Sequence, residues 1–274
     1  MPSKRSGNPA VSVLMPIRNG LPYLIQAYVS LTMQSNPNWE LVAVMDGCTD
    51  RSEEFLRRQN DPRIIIISLN RPAGLAPALN IGLAACRADV VARLDADDVC
   101  HRLRLERQLE FLNANPRMGL CGSAAEIIDA EGRPRGVRRF RSGSYGLRRA
   151  LLWRNQFVHS SVMFLKHTVV ELGGYDESMV PLEDYELWLR VAAFSDIDNL
   201  PETLICYRRH GNQSSQASTI PSFAQFLALA HSRRIAAARL GFSAASAGVR
   251  DAAWLAGQLR REVRLRFNLD QGYG

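Results

Sequence analysis

The sequence predicts an α/β fold: a mostly parallel sheet flanked by helices, with a helical tail behind it. Three observations carry that expectation. Short aliphatic runs alternate with amphipathic stretches through the first half of the chain. Each run ends on a small polar cluster containing Gly, Asp or Asn. Beyond about residue 218 strand signals give way to helical periodicity.

Residues 11–15, 41–45, 64–68 and 90–94 each read as a buried strand, short and aliphatic or β-branched. Helical patterns at 21–34, 50–59 and 75–86 separate them, which implies right-handed crossovers between parallel strands. A fourth helix over 103–113 stops before Pro116. The rhythm then changes. Residues 120–128 and 160–165 read as strands, 129–141 as a turn-rich, arginine-rich connection, 182–193 as a helix and 204–207 as a last short strand. From Ser222 two amphipathic helices are expected, with Gly241 near the break. The organisation is a polar, flexible N-terminus (1–10), an α/β domain (11–218) and a helical extension (219–274).

The composition, 46% hydrophobic and 22% charged over 274 residues, is that of a globular chain with a sizeable core. The formal charge is +7, almost all of it arginine, since Lys4 and Lys166 are the only lysines. The five cysteines are widely spaced and form no C-x-x-C pair, which argues against a disulfide framework or zinc site. The apolar stretch 11–17 is broken by Pro16 and is too short for a signal peptide. No run approaches the roughly 18 apolar residues of a spanning helix. A cytoplasmic protein is expected, or one peripheral to the inner face of the cell membrane.

In an open α/β sheet the ligand lies beyond the carboxyl ends of the parallel strands. The clusters there are Pro16-Ile17-Arg18-Asn19-Gly20, Asp46-Gly47-Cys48-Thr49-Asp50, Asn70-Arg71-Pro72-Ala73-Gly74 and Asp95-Ala96-Asp97-Asp98. The last is the sharpest: three carboxylates in four residues repel one another unless a cation or arginine neutralises them. Such oxygen ligands suit Mg²⁺ or Mn²⁺ held together with substrate phosphates. The plainer reading is a solvated acidic loop, with Asp98 capping the next helix, but its place directly after a buried strand favours metal.

The first, second and fourth of these clusters, with Val13-Leu14-Met15 ahead of Pro16, Met45 ahead of Asp46, and Glu183-Asp184 further on, resemble the inverting family 2 glycosyltransferases of the GT-A fold. The resemblance runs from about Val11 to His210. It implies a nucleotide-diphospho-sugar-binding sheet, a nucleotide-sugar donor, most simply UDP-linked, and a glycan or lipid-linked hydroxyl acceptor in polysaccharide or glycoconjugate synthesis. Pro16 and Arg18 match the segment flanking the base. Asp46 matches the second acid of a paired motif that contacts it, although Met45 stands where the first acid belongs. Asn80 matches an Asn near the nucleotide. Asp95, Asp97 and Asp98 match the DxD region that holds ribose and Mn²⁺ or Mg²⁺. Asp184 inherits the part of catalytic base, in a helical first turn whose dipole favours negative charge. His210, in Tyr207-Arg208-Arg209-His210 followed by Ser214 and Ser215, is expected near the metal or pyrophosphate. His159-Ser160-Ser161 is expected to line the acceptor side.

Two features lie outside those motifs. Residues 133–154 carry eight arginines and no acid, which reads as a solvated surface or as a flap meeting an anionic acceptor or membrane. The tail segments His231-Ser232-Arg233-Arg234 and 260–267 pair arginines with apolar residues, a pattern suited to anionic lipid or to an oligomer contact. A nucleotidyltransferase or nicotinamide dehydrogenase would open with a Gly-rich loop that residues 16–20 do not supply. A non-catalytic nucleotide-sugar-binding or membrane-associated scaffold is the remaining alternative. Net charge alone points to nucleic acid, and none is expected as a partner.

Overall fold

The computed structural model describes residues 7–211, 222–242, 248–249, 251–257 and 260. Residues 1–6, Ser214, Ser215 and 261–267, for which expectations were given, lie outside them. Four parallel strands, β1 (Val11–Ile17), β2 (Trp39–Asp46), β3 (Ile64–Leu69) and β4 (Val90–Arg93), form half of one sheet in the order β3-β2-β1-β4. The crossovers are α1 (Tyr23–Thr32), α2 (Ser52–Arg58) and α3 (Leu75–Ala85), as the periodicity predicts.

Strand alternation explains why this half is buried on both faces. Val13, Met15 and Ile17 of β1 join Leu41, Ala43 and Met45 of β2 in one apolar cluster, while Leu14 and Val42 point into another. Gly82 lets α3 approach this sheet, because a Cβ there would collide with Leu14 and Val44.

The second half extends the sheet in the order β4-β8-β6-β9-β5, with β7 on β6. Its elements are β5 (Val99–Cys100), α4 (Arg104–Ala114), β6 (Met118–Ile128), β7 (Pro134–Arg138), α5 (Ser144–Leu151), β8 (Met163–Leu165), α6 (Lys166–Glu171), α7 (Glu183–Phe194) and β9 (Asp196–Arg208). β8 runs antiparallel to both β4 and β6, whereas β9 runs parallel to β6. Two differences from expectation have physical causes. β9 is much longer than 204–207, because a register shift against β6 passes over Pro201 and Glu202, whose polarity hid the strand. Within the connection 129–141, β7 is exposed at every position, so it carries no apolar alternation to read.

The tail begins with α8 (Phe223–Arg239), opened by a capping box between Ser222 and Gln225. It packs on α7. Ser232 donates to Glu186 Oε1 at 2.7 Å, and the buried Arg233 meets Asp251 at 3.4 Å with its guanidinium 4.3 Å from the Trp254 ring. Of the segment 231–234, Ser232 and Arg233 turn inward because an acid and aromatic faces satisfy them there, while His231 and Arg234 stay exposed. No helix among the described residues is long and apolar enough to cross a membrane.

Candidate active site

The tight turn after β4 carries the acidic cluster. Asp98 donates its backbone N–H to the Asp95 carbonyl at 3.3 Å, and the Ser160 hydroxyl accepts the Asp95 N–H at 2.9 Å. One oxygen from each of Asp95, Asp97 and Asp98 lies within 4.8 Å of the others. Asp98 is fully buried, and its Oδ2 has no hydrogen-bond partner among the described residues. Burial, and then the charges of Asp95 and Asp97, push its carboxyl well above the ordinary range, against the nearby Ser160 hydroxyl and the Arg208 N–H, which pull it down. A buried orphan oxygen beside two further carboxylates fits a hard divalent cation.

The end of β9 closes this cluster from the other side. Arg208 donates its backbone N–H to Asp98 Oδ1 and its Nε to the Asp97 carbonyl, each at 2.8 Å. Its Nη1 reaches the carbonyls of Asp129 and Ala130, and its guanidinium stacks 4.7 Å over Tyr23. Two residues on, His210 places Nε2 2.9 Å from Asp97 Oδ2, with its ring against Tyr23. The structure therefore brings His210 to the acidic turn. Arg208 was read only as part of the closing segment Tyr207-Arg208-Arg209-His210; its stronger signal was an arginine at the end of an apolar strand, where a charge needs partners.

Asp184 sits in the first turn of α7. Its Oδ1 accepts the Tyr185 N–H at 2.6 Å, and its Oδ2 accepts the Asn155 amide at 2.8 Å. Burial raises its carboxyl, while those two donors and Arg93 pull the other way and Asp95 pushes with burial. Glu183 beside it is buried, its Oε2 without a partner among the described residues, and is raised to about 7 by burial and then by Asp184. The buried Arg93, on β4, pairs with Asp95. Asp184, Glu183 and the acidic turn thus share one electrostatic field, with Arg93 in its midst. Burial, with Arg93 nearby, holds His159 well below the ordinary imidazole range, and its Nε2 lies 3.1 Å from the Tyr175 hydroxyl. Arg93 and Asn155 were not singled out from sequence, and Glu183 was read there only as the acid paired with Asp184.

The remaining expected residues divide. Pro16 is half-buried one residue before the end of β1, and Arg18 stands exposed just past the strand. Asn19 joins their loop to the next, its Oδ1 accepting the Thr49 N–H at 2.8 Å. Asp46 is buried, and its two oxygens already accept the N–H groups of Ala73 and Gly74, at 2.5 and 3.1 Å. Asn80 is likewise engaged: it accepts the Tyr175 N–H at 2.9 Å and donates to the Tyr175 carbonyl at 2.9 Å and to Glu177 at 3.2 Å. In this structure it fastens the segment before α7 to α3.

The profile of Glycosyl transferase family 2 matches residues 12–173, from β1 through the turn that precedes Tyr175. The chain belongs to this family. Among relatives of this glycosyltransferase, the amylovoran biosynthesis glycosyltransferase AmsE of Erwinia amylovora is 34% identical over 188 residues, 68% of this chain and 70% of that protein. The O-antigen biosynthesis glycosyltransferase WbnJ of Escherichia coli is 29% identical over 217 residues, 77% of this chain and 83% of that one. Among solved structures, Staphylococcus aureus TarS 1–349 in complex with UDP-GlcNAc superimposes with a TM-score of 0.68 at 15% identity, covering 93% of this chain and 81% of that one. The mannosyltransferase PcManGT of Pyrobaculum calidifontis, in complex with GDP-Man and Mn²⁺, gives 0.61 at 19% identity, covering 96% and 83%. The glycosyltransferase has the expected GT-A fold.

Proposed function

We propose that this glycosyltransferase moves a sugar from a UDP-linked donor to a hydroxyl of a glycan or lipid-linked acceptor, with inversion, and that it depends on Mn²⁺ or Mg²⁺. The product would be a cell-envelope polysaccharide or glycoconjugate, as the names of AmsE and WbnJ suggest. The observation that carries the reading is the pairing of an acidic turn holding an orphan buried oxygen with Asp184 in the same electrostatic field.

Asp97 and Asp98 would hold the cation, with His210 beside Asp97 and Asp95 turned to the ribose. When bound, such a cation neutralises charge developing on the departing diphosphate. Asp184 takes the acceptor proton. The hydroxyl oxygen bonds to the anomeric carbon as that carbon's bond to the diphosphate breaks, in one in-line displacement. A carboxylate has about four lone-pair sites, so the bonds from Asn155 and Tyr185 orient Asp184 without using up its basicity. Pro16, Arg18 and Asp46 border the base pocket on this reading. Residues 11–218 form the catalytic unit and 219–274 an extension that braces α7 through Ser232 and Arg233.

Thermal shift with UDP, GDP and dTDP, with and without Mn²⁺, tests the donor assignment, since a ligand that binds the folded state raises Tm by mass action. UDP with Mn²⁺ should raise Tm most. A response to GDP alone would reassign the nucleotide, and no response to any would overturn the reading.

A further inference from the structure

Residues between 139 and 156 line an open surface hollow of about 820 Å³, within the size range of ligand sites. Four of its lining side chains are Arg139, Arg141, Arg149 and Arg154, and no acid among the described residues lines it. Other arginines of this stretch are neutralised: Arg133 and Arg135 pair with Asp129, and Arg148 pairs with Asp196. The four in the cavity meet no carboxylate among the described residues. Four like charges facing one hollow repel one another, and an anion between them removes that cost. Guanidinium groups in particular match phosphate oxygens with paired donors. Arg149 is held ready by stacking between Tyr145 and Phe242, 5.7 and 5.4 Å from their rings. Trp153, 48% exposed, offers an apolar platform beside the charges.

The cavity is fixed to the catalytic helix. Asn199, buried on β9, donates to the carbonyls of Arg141 and Gln156 and so ties the two edges of the cavity together. The Tyr185 hydroxyl donates to the Leu151 carbonyl at 2.7 Å. Asn155, between the lining residues Arg154 and Gln156, donates to Asp184. The cavity wall therefore ends at the proposed base.

We propose that this cavity binds the phosphate or diphosphate group of the acceptor and directs the acceptor's hydroxyl toward Asp184. The inference rests on the transferase reading above and adds the chemistry of the acceptor. The anion could belong to a lipid-linked diphosphate, whose apolar chain would lie on Trp153, or to a phosphorylated glycan free in solution.

The test is calorimetric titration of the full chain, in EDTA, with geranyl diphosphate, inorganic pyrophosphate and geraniol. Both anions should bind and geraniol should not. Tighter binding of geranyl diphosphate than of pyrophosphate assigns a lipid-linked acceptor, and equal binding a soluble one. Two double variants, R139S/R154S and R141S/R149S, remove exposed arginines without carboxylate partners, and circular dichroism checks that they fold. Each should weaken anion binding at least tenfold, and added salt should weaken it further in the wild type. Failure of both anions to bind, or binding indifferent to both variants, would overturn the proposal. So would charge-dependent binding to phosphatidylglycerol vesicles without binding of either soluble anion, which would make this face a membrane contact. UDP binding with Mn²⁺, measured on the same wild-type protein, separates the two readings: its loss sinks the transferase assignment, whereas its presence without anion binding sinks only this one.

Discussion

His210 sets its Nε2 2.9 Å from Oδ2 of Asp97, across 113 positions of the chain. The contact couples the end of β9 to the acidic turn after β4 and orients the carboxylate proposed to hold the cation. Partners that orient a metal ligand typically contribute 10–100-fold to metal affinity. His210→Ala should therefore weaken Mn²⁺ binding by about tenfold while leaving the fold intact, as titration followed by electron paramagnetic resonance would read. Unchanged affinity would make His210 a bystander.

Removing a ligand should do more. Asp97→Ala is expected to abolish the Mn²⁺-dependent part of UDP binding, and excess chelator should do the same to wild type. Full transfer activity in chelator would remove the metal from the account.

Glu183 gives a pH signature of its own. Its folded value near 7 lies above the ordinary 4.5, so between those two values the folded state holds a proton that the unfolded chain has released. Stability must then fall as pH rises through that window, and the loss is complete above it. Glu183→Gln keeps the shape without the charge. It should be more stable than wild type by roughly 1–3 kcal/mol at pH 8, with the gap closing toward pH 5. Asp184, also raised by burial, contributes with the same sign. Denaturant melts across pH 5–8 check this, and a flat difference would contradict it.

Asn80 separates a structural part from a nucleotide-binding one. Its hydrogen bonds go to Tyr175 and Glu177, and a Cβ on Gly174, at φ +73°, would stand 2.7 Å from its Oδ1. Asn80→Ala and Gly174→Ala should each lower stability by about 1–3 kcal/mol. UDP affinity should be unchanged in the Asn80 variant. A tenfold loss there would restore the nucleotide role that the resemblance implied.

The parallel half of the sheet was readable because short continuous apolar runs alternate with stretches of 3.6-residue periodicity and Gly, Asp and Asn punctuate them. The acidic turn was readable for a simpler reason: three carboxylates after an apolar run demand a counter-charge. β9 was only partly readable, since Asp198, Asn199, Pro201 and Glu202 interrupt its pattern while the β6 pairing absorbs them. The Asn155–Asp184 bond joins residues 29 apart through tertiary packing, and no local pattern announces it. Arg93 and Arg208 did leave a trace, as charges set inside apolar strands, where burial without partners is too costly to persist. The arginine cavity was visible only as composition, because sequence does not sort paired arginines from those that face one hollow.

The division of labour among the carboxylates is the centre of the account, and Asp184→Asn tests it most directly. Two quantities should be measured on one preparation: UDP affinity with Mn²⁺, and the rate of UDP release from the donor in the presence of an acceptor extract. The account predicts unchanged affinity with a rate lower by about two to four decades. A variant that turns over at the wild-type rate would contradict it, because Asp184 would then accept no proton.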